Sequence, residues 1–156
     1  MAKQILKQIH NKLIISKKTV AIAESCTGGE LCSLLTSLPG SSNYFILGAI
    51  TYSNKSKEIM LNVPAKIIAK FGAVSRQAAI LMAKNIRKKT HADYSLSVTG
   101  IAGPCGATKT KPVGTIFIAF ASKNKTLCRL FQLAGKRAII RKKSVREALR
   151  LLNQHL

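Results

Sequence analysis

The chain is predicted to be an α/β protein built as three layers, α/β/α, around a mixed sheet. Three observations carry this expectation. Short apolar runs, each long enough for one buried strand, alternate with segments of helical periodicity through the first two thirds of the 156 residues. Helices between strands favour parallel pairing. Two strand-like runs then follow back to back across Ser122-Lys123-Asn124-Lys125, which closes the sheet with an antiparallel hairpin. The length suits one domain, residues 1–156, with its own core.

The elements follow in order. Residues 3–16 place Ile5, Leu6, Ile9, Leu13 and Ile14 at near-helical spacing. Residues 19–24 read as a short buried strand. Residues 28–37 read as a helix stopped by Pro39-Gly40. Tyr44 to Tyr52, rich in aromatic and β-branched residues, reads as a second strand that tolerates Gly48. Asn54 to Leu61 turns helical, with Asn54 as its N-cap. Val63-Pro64 breaks that pattern, and Ala65 to Phe71 makes one more helix, closed by Gly72. Ser75 caps a long helix to Lys89, with Ala78, Ala79, Leu81, Met82 and Ile86 on its apolar face. Asp93 to Thr99 is a third strand, and residues 100–113 form a loop rich in glycine and proline. Gly114 to Ala121 and Thr126 to Leu133 are the strands of the hairpin. From Lys136 onward runs a basic amphipathic helix, on which Val145, Leu149 and Leu152 repeat in register. No repeat, linker or low-complexity tract interrupts the chain.

The charge is extreme, with 26 Lys and Arg against 5 Asp and Glu, a net +21. Such a field attracts anions, whether nucleotides, nucleic acid or an acidic membrane surface, without choosing among them. No apolar run approaches the roughly 20 residues of a membrane span. The N-terminus lacks the uninterrupted apolar segment of a signal peptide. A cytoplasmic protein without a membrane partner is expected. The cysteines, Cys26, Cys32, Cys105 and Cys128, form no Cys-x-x-Cys pair, and His10, His91 and His155 lie far apart. No zinc pattern results, and free thiols are expected. Cys32 and Cys128 sit among apolar neighbours and are expected to serve as small core residues.

In a doubly wound fold, ligands bind at the carboxyl ends of the strands. Three loops gather there: 24–29, 52–57 and 99–106. The first, Glu24-Ser25-Cys26-Thr27-Gly28-Gly29, joins a strand to a helix and puts a hydroxyl and a thiol at a helix N-terminus, where an oxyanion or phosphate is favoured. Ser25 or Cys26 is the candidate nucleophile. Serine needs a base, and the histidines are badly placed for it. A lysine can serve if desolvation and nearby positive charge lower its pKa. Lys57, in the first turn of the helix after the second strand, is the candidate, and Tyr52 is a candidate relay. Gly100 and Gly103 allow close approach of backbone to ligand. Neither a P-loop nor a dinucleotide fingerprint is present.

Five stretches occur in a fixed order: Glu24 to Gly29; Tyr52-Ser53-Asn54 with Lys57; Gly72-Ala73-Val74-Ser75; Val98-Thr99-Gly100-Ile101-Ala102-Gly103-Pro104; and Lys111-Pro112-Val113-Gly114-Thr115. Together they resemble the CinA C-terminal domain family, which includes single-domain nicotinamide-nucleotide amidohydrolases of PncC type. The likeness covers roughly residues 5–153. It implies hydrolysis of the carboxamide of nicotinamide mononucleotide to nicotinic acid mononucleotide and ammonia, as part of pyridine nucleotide recycling. By motif match, Ser25 is the nucleophile, Lys57 the general base and Tyr52 a relay or orienting group. Cys26, Thr27, Gly28, Gly29, Thr99, Gly100, Ala102 and Gly103 then line the substrate pocket. Arg137 and Arg141 face the phosphate, and backbone N–H groups at the helix start after Gly28 hold the oxyanion. No metal or cofactor is implied.

The chain departs from the family pattern at Cys105 and Ala107, where further glycines are common, and at Lys136, where an acidic residue commonly stands. Nothing in it resembles the N-terminal molybdopterin-binding-like domain of longer CinA proteins, so activities tied to that domain are not implied. A small symmetric homo-oligomer is expected. The rival reading is a non-catalytic nucleotide- or nucleic-acid-binding accessory module using Lys136, Arg137, Arg141, Lys142, Lys143, Arg146 and Arg150. No aromatic residue occurs after Phe131, which argues against a stacking platform for single strands.

Overall fold

A computed structural model describes residues 2–156. The elements run α1 (Ala2–Ser16), β1 (Val20–Glu24), α2 (Glu30–Leu35), a 3₁₀ turn (Ser41–Asn43), β2 (Phe45–Ile50), α3 (Asn54–Leu61), α4 (Ala65–Phe71), α5 (Arg76–Thr90), β3 (Tyr94–Gly100), β4 (Thr115–Ala121), β5 (Thr126–Gln132) and α6 (Arg137–Asn153). The sheet has the order β2-β1-β3-β4-β5. β1 pairs in parallel with β2 and β3, while β4 runs antiparallel to both β3 and β5. The expected three-layer mixed α/β architecture is therefore present. The chain leaves β1 toward β2 on one side and returns to β3 on the other, so the strand order switches at β1. A crevice forms at the carboxyl ends of strands around such a switch.

The two faces of the sheet differ in side-chain size. Val20 and Ile22 of β1, Leu96 and Val98 of β3, and Ile116 and Ile118 of β4 point to α1, α2 and α6, where Ile9, Leu13, Leu31 and Leu149 complete a large apolar core. The opposite face carries Ala21, Ala23, Ser95, Ser97, Ala119 and Ala121, all buried. Small residues let α5 lie close. Ser95 and Ser97 satisfy their hydroxyls on the Ala83 and Ala79 carbonyls of that helix, at 2.7 and 2.6 Å. Buried hydroxyls so bonded avoid the cost of burying an unpaired polar group.

Some boundaries differ from expectation, each for a local reason. α2 covers only Glu30–Leu35, because Gly28 and Gly29 turn the chain through positive φ of 59° and 95°. Ser53, not Asn54, caps α3: its hydroxyl accepts from the Ser56 N–H, and Ser56 reciprocates on the Ser53 N–H. Tyr44 stands outside β2 as a fully buried wedge, with its hydroxyl donating to the Leu35 carbonyl at 2.7 Å. β2 is an edge strand with Ile46, Leu47 and Ile50 exposed, so the apolar run there is half wet rather than buried. Of the two cysteines expected in the core, Cys128 is buried and Cys32 half-buried. No helix among the described residues is long and apolar enough to cross a membrane.

Glu24 ends β1 as a fully buried carboxylate. It accepts hydrogen bonds from the N–H groups of Gly29, Leu31 and Cys32 at 3.0, 3.2 and 2.7 Å. α2 has no side-chain cap of its own, so a residue from the preceding strand closes its N-terminus and meets its dipole with negative charge. Glu24→Gln keeps the shape but removes the charge and one acceptor oxygen. Such charge-assisted bonds are worth about 1.5–3 kcal/mol each. The substitution is expected to cost about 2–4 kcal/mol in urea unfolding, and a loss below about 0.5 kcal/mol would contradict the clamp.

Candidate active site

Each of the three loops at the carboxyl ends of the strands brings one component. After Glu24, Ser25 is pinned by its own N–H, which donates to the Val98 carbonyl of β3 at 2.9 Å. Thr51 follows β2 and is tied back by its N–H to the Glu24 carbonyl at 2.8 Å. The capping box at Ser53 then starts α3, and Lys57 lies one turn in, directed back under the loop. A lysine on an amphipathic helix ordinarily faces water. This one is 1% exposed.

The Lys57 Nζ lies 3.1 Å from the Ser25 Oγ and 2.7 Å from the Thr51 carbonyl oxygen. Burial takes its pKa from the ordinary lysine value down to about 8, because the ammonium loses hydration that the neutral amine needs less. A neutral amine offers two N–H donors and one lone pair. The Thr51 carbonyl holds a donor, which leaves the lone pair available to the Ser25 hydroxyl proton. Ser25 itself is 8% exposed and opens onto a cavity of about 260 Å³.

Ser25, Cys26, Tyr52, Lys57, Thr99, Gly100, Ala102, Gly103 and Arg137 all line that cavity, so the structure brings these expected residues together. Tyr52 is 58% exposed, and its hydroxyl accepts from the Arg137 guanidinium at 2.8 Å. The phenol of Tyr52, expected as a relay or orienting group, is engaged by Arg137 and makes no hydrogen bond to Ser25 or Lys57. The same guanidinium donates to the Gly103 carbonyl at 2.9 Å, so Arg137 spans the cavity mouth from one loop to another. Thr99 lies in the wall, but its hydroxyl donates to the Ala73 carbonyl at 2.9 Å and stitches the wall instead of facing a ligand. Gly100 serves the sheet: a Cβ there would run into the Ile116 side chain and the Thr115 carbonyl.

Thr27, Gly28, Gly29 and Arg141 fall elsewhere. Gly28 and Gly29 line a separate, more apolar groove with Leu34 and Val145. Thr27 is fully buried behind the turn. Arg141 donates to the Thr27 carbonyl at 2.8 Å and pairs with Glu30 at 2.9 Å. It braces the back of the turn rather than facing the cavity, although it lies one helical turn from Arg137. The amides after Gly28 are also spent. Glu24 takes those of Gly29, Leu31 and Cys32, the Gly28 N–H donates to the Ser25 carbonyl, and that of Glu30 to the Thr27 carbonyl. An oxyanion or phosphate therefore finds no free donor at the start of α2. Among the described residues, the Cys26 and Thr27 amides of this turn donate to no other residue.

Two contributors were not singled out from the sequence. Thr51 acts through its backbone carbonyl, which no residue type announces. Glu24 did carry a signal, because a carboxylate at the end of an otherwise apolar strand must find buried donors. Asn54, Ala73, Val74, Ile101, Cys105 and Gly106 complete the wall.

The chain belongs to the CinA C-terminal domain family, whose profile matches residues 2–156. A CinA-like protein of Endomicrobium trichonymphae is 48% identical over 144 residues, covering 92% of this chain and 34% of that protein. The chain thus spans about a third of the length of the curated relatives it matches. Solved structures match over most of both chains. The competence/damage inducible protein CihA from Agrobacterium tumefaciens superposes with a TM-score of 0.94 at 37% identity, covering 97% of this chain and 93% of its own. A CinA superfamily protein from Escherichia coli reaches 0.96 at 29% identity, covering 100% and 91%.

The geometry separates the two candidate nucleophiles. Burial pushes the Cys26 thiol up to about 12, so it is protonated and unreactive at neutral pH. Cys105 is exposed. In an iodoacetamide time course followed by peptide mass spectrometry, Cys105 is expected to react first and Cys26 to stay unmodified in the folded protein. Labelling of Cys26 as fast as Cys105 would contradict its assignment as an inert wall residue.

Proposed function

We propose that this member of the CinA C-terminal domain family is an amidohydrolase that deamidates nicotinamide mononucleotide by a serine–lysine mechanism. The observation that carries the reading is the 3.1 Å contact between the Ser25 hydroxyl and a buried Lys57 amine whose pKa lies near 8. A surface lysine beside a serine would be fully protonated at neutral pH and could accept nothing. Here about a tenth of the amine is neutral at pH 7, rising to about half near pH 8, and it is aimed at the hydroxyl, the arrangement an activated nucleophile needs.

The steps then follow. The Ser25 Oγ attacks the carboxamide carbon while its proton passes to the Lys57 Nζ. The carbonyl oxygen gains the negative charge, for which the N–H of Cys26 is the adjacent uncommitted donor. Collapse of the tetrahedral adduct breaks the C–N bond, and the proton held by Lys57 goes to the departing ammonia. Water next attacks the Ser25 ester, Lys57 takes one of its protons, and the adduct collapses with that proton passing to the Ser25 oxygen. The carboxylic acid so formed gives up its remaining proton to solvent, leaving the carboxylate. Lys57 is neutral again as each half begins.

The shape of the site supports an aromatic amide. A cavity of about 260 Å³ accommodates a pyridine ring and its carboxamide but not a whole nucleotide. Ribose and phosphate would extend to the mouth, toward Arg137. That residue opens α6, whose N-terminus has no side-chain cap, so a phosphate there meets a guanidinium and the positive end of a helix dipole.

Ammonia release from nicotinamide mononucleotide tests the reading. Ser25→Ala is expected to lower kcat by about a thousandfold or more, and Lys57→Met by about 10²–10⁴-fold, with folding intact. Below the Lys57 pKa of about 8 the base is protonated. So kcat/KM should rise about tenfold per pH unit up to that value and level off above it. Arg137→Ala is expected to raise KM by about tenfold or more for the mononucleotide but little for the riboside, which lacks the phosphate. Full activity in Ser25→Ala, or no ammonia from the parent protein, would overturn the proposal.

A further inference from the structure

The cations of this chain are not equally occupied. All five acidic residues are engaged: Glu24 on the amides of α2, Asp93 with Lys18, Glu58 with Lys55, Glu30 with Arg141, and Glu147 with Arg146 and Arg150. Much of the basic face of α6 is committed in this way. Arg137 bridges Tyr52 and Gly103, and Lys143 donates to the Ala134 carbonyl. The α6 stripe is therefore a poor candidate for gripping a polyanion.

The other end of the molecule differs. A groove of about 680 Å³ lies between the C-terminal half of α5 and the β4–β5 hairpin. It is lined by Lys84, Arg87 and Lys88 from the helix and by Lys123 and Lys125 from the hairpin, with no carboxylate. Ser95 at the start of β3 pairs with Ala121 at the end of β4, so this groove opens at the end of the strands opposite to Ser25. Among the described residues, the ammonium groups of Lys84, Lys88, Lys123 and Lys125 have no hydrogen-bond or ion-pair partner. A second cavity of about 560 Å³ adjoins this furrow, with Asn85, Lys88 and His91 in the walls of both.

Five like charges around one concavity repel one another and raise the free energy of the fold. The C-terminal dipole of α5 compensates Arg87 and Lys88, which sit in its last turn. It does nothing for the hairpin lysines. We propose that this furrow is a binding site for the phosphate backbone of a nucleic acid, separate from the amidase pocket and independent of its activity. Ammonium groups act as point charges toward phosphates, and Ser122, Asn124 and Thr126 add neutral hydrogen-bonding groups beside them. The lining has no Phe, Tyr or Trp, so bases are not stacked and sequence is not read. Large apolar side chains, which a membrane-adsorbing face inserts, are absent from the groove lining itself, Met60 being the exposed one in the adjoining cavity. Duplex, with its higher charge density, should bind more tightly than single strand.

The test is fluorescence anisotropy of a labelled duplex DNA of arbitrary sequence across a salt series. Four free ammonium contacts give a slope of log K against log salt near about −3.6, or about a hundredfold loss from ~50 to ~200 mM salt. A groove variant, Lys84→Gln with Lys123→Gln and Lys125→Gln, should reduce that slope by nearly ~3. A control that removes equal charge elsewhere, Lys7→Gln with Lys66→Gln and Lys109→Gln, should leave it almost unchanged. All six side chains belong to exposed residues, so folding should be unaffected, as should ammonia release by the groove variant. Equal losses in the two variants would assign binding to diffuse charge and overturn the site. So would tighter binding of single strand than duplex, or groove-dependent binding of anionic vesicles or inorganic polyphosphate without duplex binding.

Discussion

Glu24 joins the two halves of the candidate catalytic pair. Its side chain closes the N-terminus of α2 and thereby holds the turn that carries Ser25. Its backbone carbonyl accepts from the Thr51 N–H, and the Thr51 carbonyl in turn holds the Lys57 Nζ. Serine and lysine lie 32 residues apart in the chain, yet each is referenced to the same residue at the end of β1. Because every link is a short bond to backbone in a water-poor interior, the distance between hydroxyl and amine is set by the fold and not by flexible side chains. The clamp has a chemical consequence as well. By occupying the start of α2, Glu24 denies that site to any external anion, whereas the start of α6 has no side-chain cap.

Charge is used differently at the two ends of the sheet. Near Ser25, the lysine that matters is buried, and desolvation makes it a base. At the far end, Lys84, Lys88, Lys123 and Lys125 are exposed and, among the described residues, their ammonium groups have no hydrogen-bond or ion-pair partner. The net charge of +21 follows from having only five acidic residues, each already engaged in holding local structure. The excess is therefore surface charge available to partners. A lysine shielded from water is driven toward the neutral amine, whereas one in water stays a cation.

Much of this was legible in the sequence, because the informative patterns were local. Apolar runs marked the five strands, and Gly72, Ser75 and Pro64 marked helix ends close to where they occur. The ordered motifs led to Ser25 and Lys57. What escaped depended on geometry that residue type does not encode. Arg137 and Arg141 share a helix and a charge, yet one spans the cavity mouth and the other braces Thr27 from behind. Their difference lies in where α6 passes over the β1–α2 turn. Tyr52, read as a relay or an orienting group, stands at the rim, exposed and bonded to Arg137. The oxyanion donors were sought at a helix start whose amides the Glu24 carboxylate, at the end of β1, already holds.

The central claim is that Lys57 is a base because it is buried against Ser25. The most direct measurement is the titration of lysine side-chain Cε resonances by NMR on protein carrying labelled lysine, with the Lys57 signal identified by its loss in Lys57→Met. Lys57 is expected to titrate at about 8, far below the ordinary value of about 10.4. A Lys57 resonance that titrates together with the surface lysines would contradict it.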